Sequence, residues 1–265
     1  MGRFMKGYSI MKVALQLFTL REYIEKLGFD AVLGKVAALG YEGVEFANFG
    51  KLVPAEELRA LLDKHGLEAC SAHVYGTALT TELDKTIAYN KVLGTRDIVC
   101  SSAPMNNEEA FNATLEVLRH AGEVLRENGM QLHYHNHSPE LWDKIGGECV
   151  FDRLFRLLPP EVILPEADVC WLHYGNVDPV EYTKKYGKFA TRWHIKDAKG
   201  PFTRESREGF RFTPAGEGEV GIAEVVKAAK GTSIEWLIYE NDDPVPEAFY
   251  AVGKSADALR AMLKD

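Results

Sequence analysis

Short apolar stretches rich in β-branched residues alternate along this chain with longer amphipathic ones. VALQLF (13–18) precedes a helical pattern around 29–39, and GVEFA (43–47) precedes PAEELRALLDKHG (54–66). LEACSAHV (67–74) leads to a helix near 82–93, and DIVCSS (97–102) to a long helix through 107–128. MQLHYHNH (130–137) is followed by a helix near 149–158, and VILPEADV (162–169) by one near 178–187. TRWHIKD (191–197) precedes a loop and a helix near 221–230, and IEWLIYEND (234–242) precedes a last helix around 246–263. Such alternation predicts parallel strands joined by crossover helices. Gly40, Gly66, Gly94 and Gly129 fall where a helix should stop and the next strand begin. Eight strand–helix units in roughly 250 residues specify an α/β fold of the (β/α)8 TIM-barrel type. An open doubly wound sheet would show a Gly-rich turn after an early strand, and VALQLFTLRE has none.

No linker or low-complexity segment interrupts the pattern, so one domain is expected over 11–265. Residues 1–10 read as an extension ahead of a second possible start at Met11. The longest irregular piece, KGPFTRESREGFRFTPAGEGEVG (199–221), is a candidate lid.

Composition narrows the function classes. The net charge of −8 over 265 residues argues against a general nucleic-acid binder, which needs a basic face. Cys70, Cys100, Cys149 and Cys170 form no CxxC pair, so reduced thiols in a cytoplasmic protein are expected. The N-terminus lacks a signal-peptide pattern, and no apolar run is long enough to cross a bilayer. A soluble protein without membrane partners follows as the expectation, with self-association into a homo-oligomer left open.

In a barrel of this type, chemistry sits at the C-terminal strand ends. Strand two ends with Glu45, strand three with His73, and strand five with His133, His135 and His137. Strand six ends with Glu166 and Asp168, strand seven with His194, Lys196 and Asp197, strand eight with Glu240, and Arg21 follows strand one. Alternate strand residues share a face. Leu132 and Tyr134 should meet the helices, which turns the three histidines inward, in phase with His194 and Lys196 on their strand and Asp168 on its own. Taken alone, Glu45 reads equally well as a salt-bridge partner and His73 as a cross-barrel hydrogen bond. His65 and His120 read as solvent-facing, and His173 as a loop residue. Together, several buried charges would be costly unless a cation joined them. A mixed imidazole and carboxylate set suits one divalent ion, Mn²⁺, Zn²⁺, Co²⁺ or Mg²⁺.

The blocks LHYHNHSPEL, PEADVCWLHYGNVDPVEY, RWHIKDAKG and GEGEVGIAEVVKAAKGTSIEWLIYEND occur in that order. With them the chain resembles the sugar-phosphate isomerase/epimerase family of xylose-isomerase-like barrels, over nearly its whole length from Met11. The resemblance implies one divalent metal held by Glu, Asp, His and Glu from strands five to eight, and Asp168, His194 and Glu240 match that set. Strand five departs: many relatives read Leu-Glu-Asn where this chain reads Tyr134-His135-Asn136. A subgroup with HNHxxE is the better match. It offers Glu140 as the preferred fourth ligand, with His135 competing and His137 left for the metal's surroundings or the substrate. Trp171 stands where some relatives place a histidine, and suggests an aromatic wall for a sugar face.

The implied activity is isomerisation or epimerisation of a sugar or keto-sugar through proton abstraction and an enediolate stabilised by the cation. Glu140, Glu240 or His135 would move the proton. Lys196 and His73 would bind hydroxyls or the oxyanion, Arg21 a substrate end, and Glu45 the pocket wall. A lyase or hydratase that β-eliminates from a 3-keto-sugar, glycoside or inosose is the runner-up. A DNA-repair endonuclease and a non-catalytic sugar-binding barrel are the remoter alternatives.

Overall fold

The structure of the chain, a computed structural model, describes residues 11–47, 53–243 and 248–264. The expected extension, residues 1–10, lies outside the described residues. Eight strands run in chain order: β1 (Lys12–Gln16), β2 (Gly43–Phe46), β3 (Glu68–Tyr75), β4 (Asp97–Ser102), β5 (Gln131–His135), β6 (Ile163–Asp168), β7 (Arg192–Ile195) and β8 (Trp236–Tyr239). Each pairs in parallel with its sequence neighbours, and β8 closes on β1 through Lys12↔Trp236 to Leu15↔Tyr239. The helices between them are α1 (Arg21–Ala38), α2 (Ala55–His65), α3 (Leu83–Leu93), α4 (Glu108–Glu127), α5 (Val150–Leu157), α6 (Pro179–Tyr186), α7 (Ile222–Ala229) and α8 (Ala248–Lys264). The (β/α)8 expectation holds. No helix among the described residues is long and apolar enough to cross a membrane.

Local chemistry accounts for the element ends. The Asn107 side chain accepts from Ala110 N–H at 2.9 Å to cap α4, and Asp178 accepts from Val180 N–H at 2.8 Å to cap α6. Gly40, Gly66, Gly94 and Gly129 all take positive φ at helix ends, as expected. The first helix begins earlier than the hydrophobic pattern predicts, because Gly28 (φ 79°, ψ 164°) breaks it into two segments.

Strand parity divides the core. Leu132, Tyr134, Trp193, Ile195, Leu237 and Tyr239 face the helix layer, in the large apolar cluster. Ala14, Cys70, Trp236 and Ile238 form a separate small cluster, from the strand faces turned the other way, into the barrel. Gly43 makes room for it, since a Cβ there would meet the Trp236 ring at 2.9 Å. Val99 and Leu164, in register with His133, also face inward, and the polar residues among them carry the site.

The 199–221 segment is folded. Asp197–Lys199 pairs antiparallel with Arg211–Thr213, making a flap after β7. The Asp197 carboxylate accepts backbone N–H groups from Ala198, Gly216, Gly218 and Val220 at 2.8–3.2 Å and so organises the flap's return.

Candidate metal centre

The C-terminal strand ends bring ionisable side chains together in two storeys. In the lower one Glu45, fully buried on β2, accepts from Gln16 Nε2 at 2.7 Å, from Ser71 Oγ, from His73 Nε2 at 3.0 Å and from His194 Nε2 at 2.6 Å. Glu166 on β6 shares two of these partners, with Oε1 2.8 Å from His73 Nε2 and 3.2 Å from His194 Nε2. Two imidazoles therefore lie between two buried carboxylates.

The upper storey uses the other ends of the same rings. His194 Nδ1 is 3.2 Å from Glu240 Oε2, and His135 Nε2 is 3.9 Å from Asp168 Oδ2, while His135 Nδ1 looks down on Glu166 Oε1 at 3.4 Å. Asp168 caps the short helix 169–174: Oδ1 accepts from the N–H groups of Cys170 and Trp171, which leaves Oδ2 facing the mouth. Lys196 Nζ joins the carboxylates, at 3.1 Å from Asp168, 2.8 Å from Glu240 and 2.9 Å from Asp242.

Charge does not balance here. Glu45, Glu166, Asp168, Glu240 and Asp242 are five carboxylates, against the Lys196 ammonium and the imidazoles of His73 and His194. Burial alone would lower both imidazoles, but Glu45 and Glu166 raise His73 to about 9 and His194 well above its ordinary value. Burial beside Glu45 pushes Glu166 up to about 7, and burial beside Lys196 and Glu240 leaves Asp242 at about 6. Burial next to His194 and His73 holds His135 well below its usual range, hence neutral. Even with both cationic rings counted, negative charge remains in excess.

A divalent cation fits this deficit. Donor atoms of His135, Asp168, His194 and Glu240 lie within 4.8 Å of one another, as do those of His73, His135, Glu166 and His194. Asp168 Oδ2, Glu166 Oε2 and His135 Nδ1 are buried without an aligned hydrogen bond. The two groups share His135 and His194, whose far nitrogens face the lower carboxylates. Metal-ligating imidazoles usually lean on carboxylates in that way. The geometry therefore favours the upper set as ligands and the lower set as their support.

Not every expected residue arrives. Glu140 sits in the turn 139–142 that starts at Pro139, and its carboxylate accepts from Tyr134 OH at 2.9 Å and His137 N–H at 3.0 Å. Tyr134 belongs to the helix-facing side of β5, so Glu140 stands outside both groups, and His135 is the strand-five residue brought into them. His133 lies deeper, 2.8 Å from Asp97, which also holds Arg192 at 2.6 Å. His137 is half-buried at the rim, its ring 5.0 Å from that of His135. Trp171 lies under Lys196 at 5.2 Å. Arg21 donates to the carbonyls of Phe18 and Asp242, bracing the exit of β8. His65 pairs with Asp30, and His120 is exposed. Asp242 escaped notice in the sequence. Its position two residues beyond Glu240 was the available signal.

A closed (β/α)8 barrel here gathers imidazoles and carboxylates that could hold a metal ion at the C-terminal mouth, where enzymes of this fold place their chemistry. The chain belongs to the xylose isomerase-like TIM barrel family, whose model matches residues 33–262. An inosose dehydratase of Clostridium botulinum is 24% identical, over 82% of this chain and 83% of that protein. A sugar phosphate isomerase/epimerase structure from Parabacteroides distasonis superposes with a TM-score of 0.81 at 21% identity, covering 98% of this chain and 96% of that one. The IOLI protein, solved with a binding zinc atom, superposes at 0.71 with 17% identity, over 96% and 98% of the two chains.

Proposed function

We propose that the chain is a divalent-metal-dependent lyase that removes water from a cyclic keto-polyol, beginning with abstraction of a proton beside the carbonyl. The excess of buried carboxylate around His135, Asp168, His194 and Glu240 is the observation that carries this reading. The dehydratase name of the 24%-identical relative favours elimination over the isomerisation first expected from sequence. His135, Asp168, His194 and Glu240 would hold the metal. When bound, it supplies Lewis acidity toward the substrate's carbonyl oxygen.

The remaining steps belong to the chain's own groups. Lys196 Nζ, shared among Asp168, Glu240 and Asp242, is placed to donate to an oxygen that gains negative charge. Asp242, at about 6, is the mouth carboxyl whose titration range best suits a general base near neutral pH. Burial pushes His137 down to about 4, so it enters the pocket neutral and can accept a substrate hydroxyl. Glu140, fixed by Tyr134 and the His137 N–H, positions the rim.

The test is solvent deuterium exchange into a keto-inositol by the metal-loaded protein, with the products followed by NMR. Exchange with loss of water supports the lyase reading. Exchange that returns only epimers or isomers replaces it with the isomerase reading, and no exchange overturns both.

A further inference from the structure

Lys196 stands among the candidate ligands without being one of them. The side chain is almost wholly buried, with Nζ 3.1 Å from Asp168 Oδ2 and 2.8 Å from Glu240 Oε2. We propose that Lys196 sets the affinity of the centre, its fixed positive charge opposing the metal ion and so weakening the ion's binding. The proposal rests on His135, Asp168, His194 and Glu240 being the ligands, and on no particular reaction.

Asp168 shows why the two cations meet. Its Oδ1 is committed to the N–H groups of Cys170 and Trp171, so Oδ2 is the oxygen left for a metal, and Oδ2 is also the oxygen beside Lys196. That contact is charge against charge, since Oδ2 has no aligned hydrogen bond and keeps its lone pairs. A metal–carboxylate bond is about 2.0–2.2 Å long, so an ion bound there lies within roughly 5 Å of the ammonium.

The ammonium cannot step aside into water. Its hydrogen bonds run to both oxygens of Asp242, at 2.9 and 3.0 Å, and it lies over the rings of Trp171 at 5.2 Å and Phe212 at 5.7 Å. Phe212 belongs to the flap strand Arg211–Thr213, so the flap helps to seal the charge in. Salt screens buried charges little, and at this range repulsion between two cations weakens binding by at least about tenfold. The same charge offsets the repulsion between Asp168 and Glu240 in the metal-free protein. Removing it leaves two buried carboxylates that an ion alone can neutralise. Both effects act in one direction: without the ammonium, the ion binds more tightly. A lysine that merely clamped the carboxylates in place would act the other way, because loosened ligands hold an ion less well. The donor placed for the substrate's oxygen is thus kept at some loss of metal affinity.

The test titrates metal-free native protein, Lys196→Met, Lys196→Gln and Lys196→Arg with Mn²⁺ against a chromophoric chelator at constant pH. The Met and Gln variants should bind Mn²⁺ at least about tenfold more tightly than the native protein, and the Arg variant, which keeps the charge, about as weakly as the native protein. Unchanged or weaker binding in a folded neutral variant overturns the proposal, as does an Arg variant as tight as the neutral pair. A neutral variant that folds only once Mn²⁺ is added supports it, and one that stays unfolded with Mn²⁺ overturns it. Native protein that takes up no ion removes the ligand assignment and the proposal together, whereas equal affinities remove the proposal alone. Because affinity is read without substrate, a failed deuterium-exchange test leaves this result standing.

Discussion

Strands β5 and β7 each place two polar residues on the barrel's inner face, and the two levels behave differently. At the lower level His133 and Arg192 meet Asp97, one carboxylate against one guanidinium, and Arg192 also donates to the Cys70 carbonyl. Burial and the nearby Arg192 lower His133, so it stays neutral and the charges cancel. Two residues further along, His135 and His194 enter a group in which five carboxylates outweigh the cations. Unpaired atoms do not distinguish the levels, since His133 Nδ1 and Arg192 Nε also lack partners. Charge does. A buried polar network is ordinary structure when its charges cancel, and a binding site when they do not.

The largest expected effect breaks the upper level. Asp168→Ala or His194→Ala should drop metal content well below one ion per chain and cut turnover on the order of a thousandfold. Full retention of both properties in either variant sinks the assignment. At the lower level, Asp97→Ala strands the Arg192 charge and should cost about 3–5 kcal/mol in urea unfolding. The folded fraction should still bind metal with unchanged affinity. Lost affinity with undiminished stability would reverse the roles given to the two networks.

Smaller changes sharpen the boundary between ligands and support. Glu45→Gln replaces the carboxylate beneath His194 Nε2 and should weaken metal binding by roughly tenfold, as such outer partners usually do. A metal affinity unchanged by the substitution would make Glu45 merely structural. The mildest test is pH. His73, raised to about 9, and His194, raised well above its ordinary value, hold protons that the unfolded chain loses near 6.5. Their stabilisation is complete below 6.5 and is lost as pH rises through the folded values, so the metal-free protein should melt lower at pH 9 than at pH 7. Metal needs the His194 ring neutral, and its affinity should rise over the same window. A metal-free melting temperature that is flat or climbs there contradicts the charge account.

Much of the fold was legible because periodicity and punctuation agreed, and each of the eight strands lies within three residues of the ends of its apolar stretch. Parity alone turned His133, His135 and His137 inward. Their division into levels was not legible, since it depends on which inner-face residue the neighbouring strand presents: Asp97, at the start of β4, reaches His133. Asp242 sits two residues beyond the singled-out Glu240, and only the closed barrel shows it, and the already noted Glu166, to be partners of the other mouth residues. The place of Glu140 was not legible, because the motif spacing does not reveal that Pro139 starts a turn, which returns the carboxylate to Tyr134. The 199–221 segment was noted as a candidate lid, but its strand pairing was not legible, because Phe202, Phe210 and Phe212 follow no strand or helix period and gain meaning only against Trp171.

Anomalous scattering from a crystal soaked in Mn²⁺ or Zn²⁺ tests the central claim most directly. The account predicts one peak per chain, within ligand distance of His135, Asp168, His194 and Glu240, with Glu140 still on Tyr134. A sole peak among Glu45, His73 and Glu166, a peak bound by Glu140, or no peak at all would contradict it.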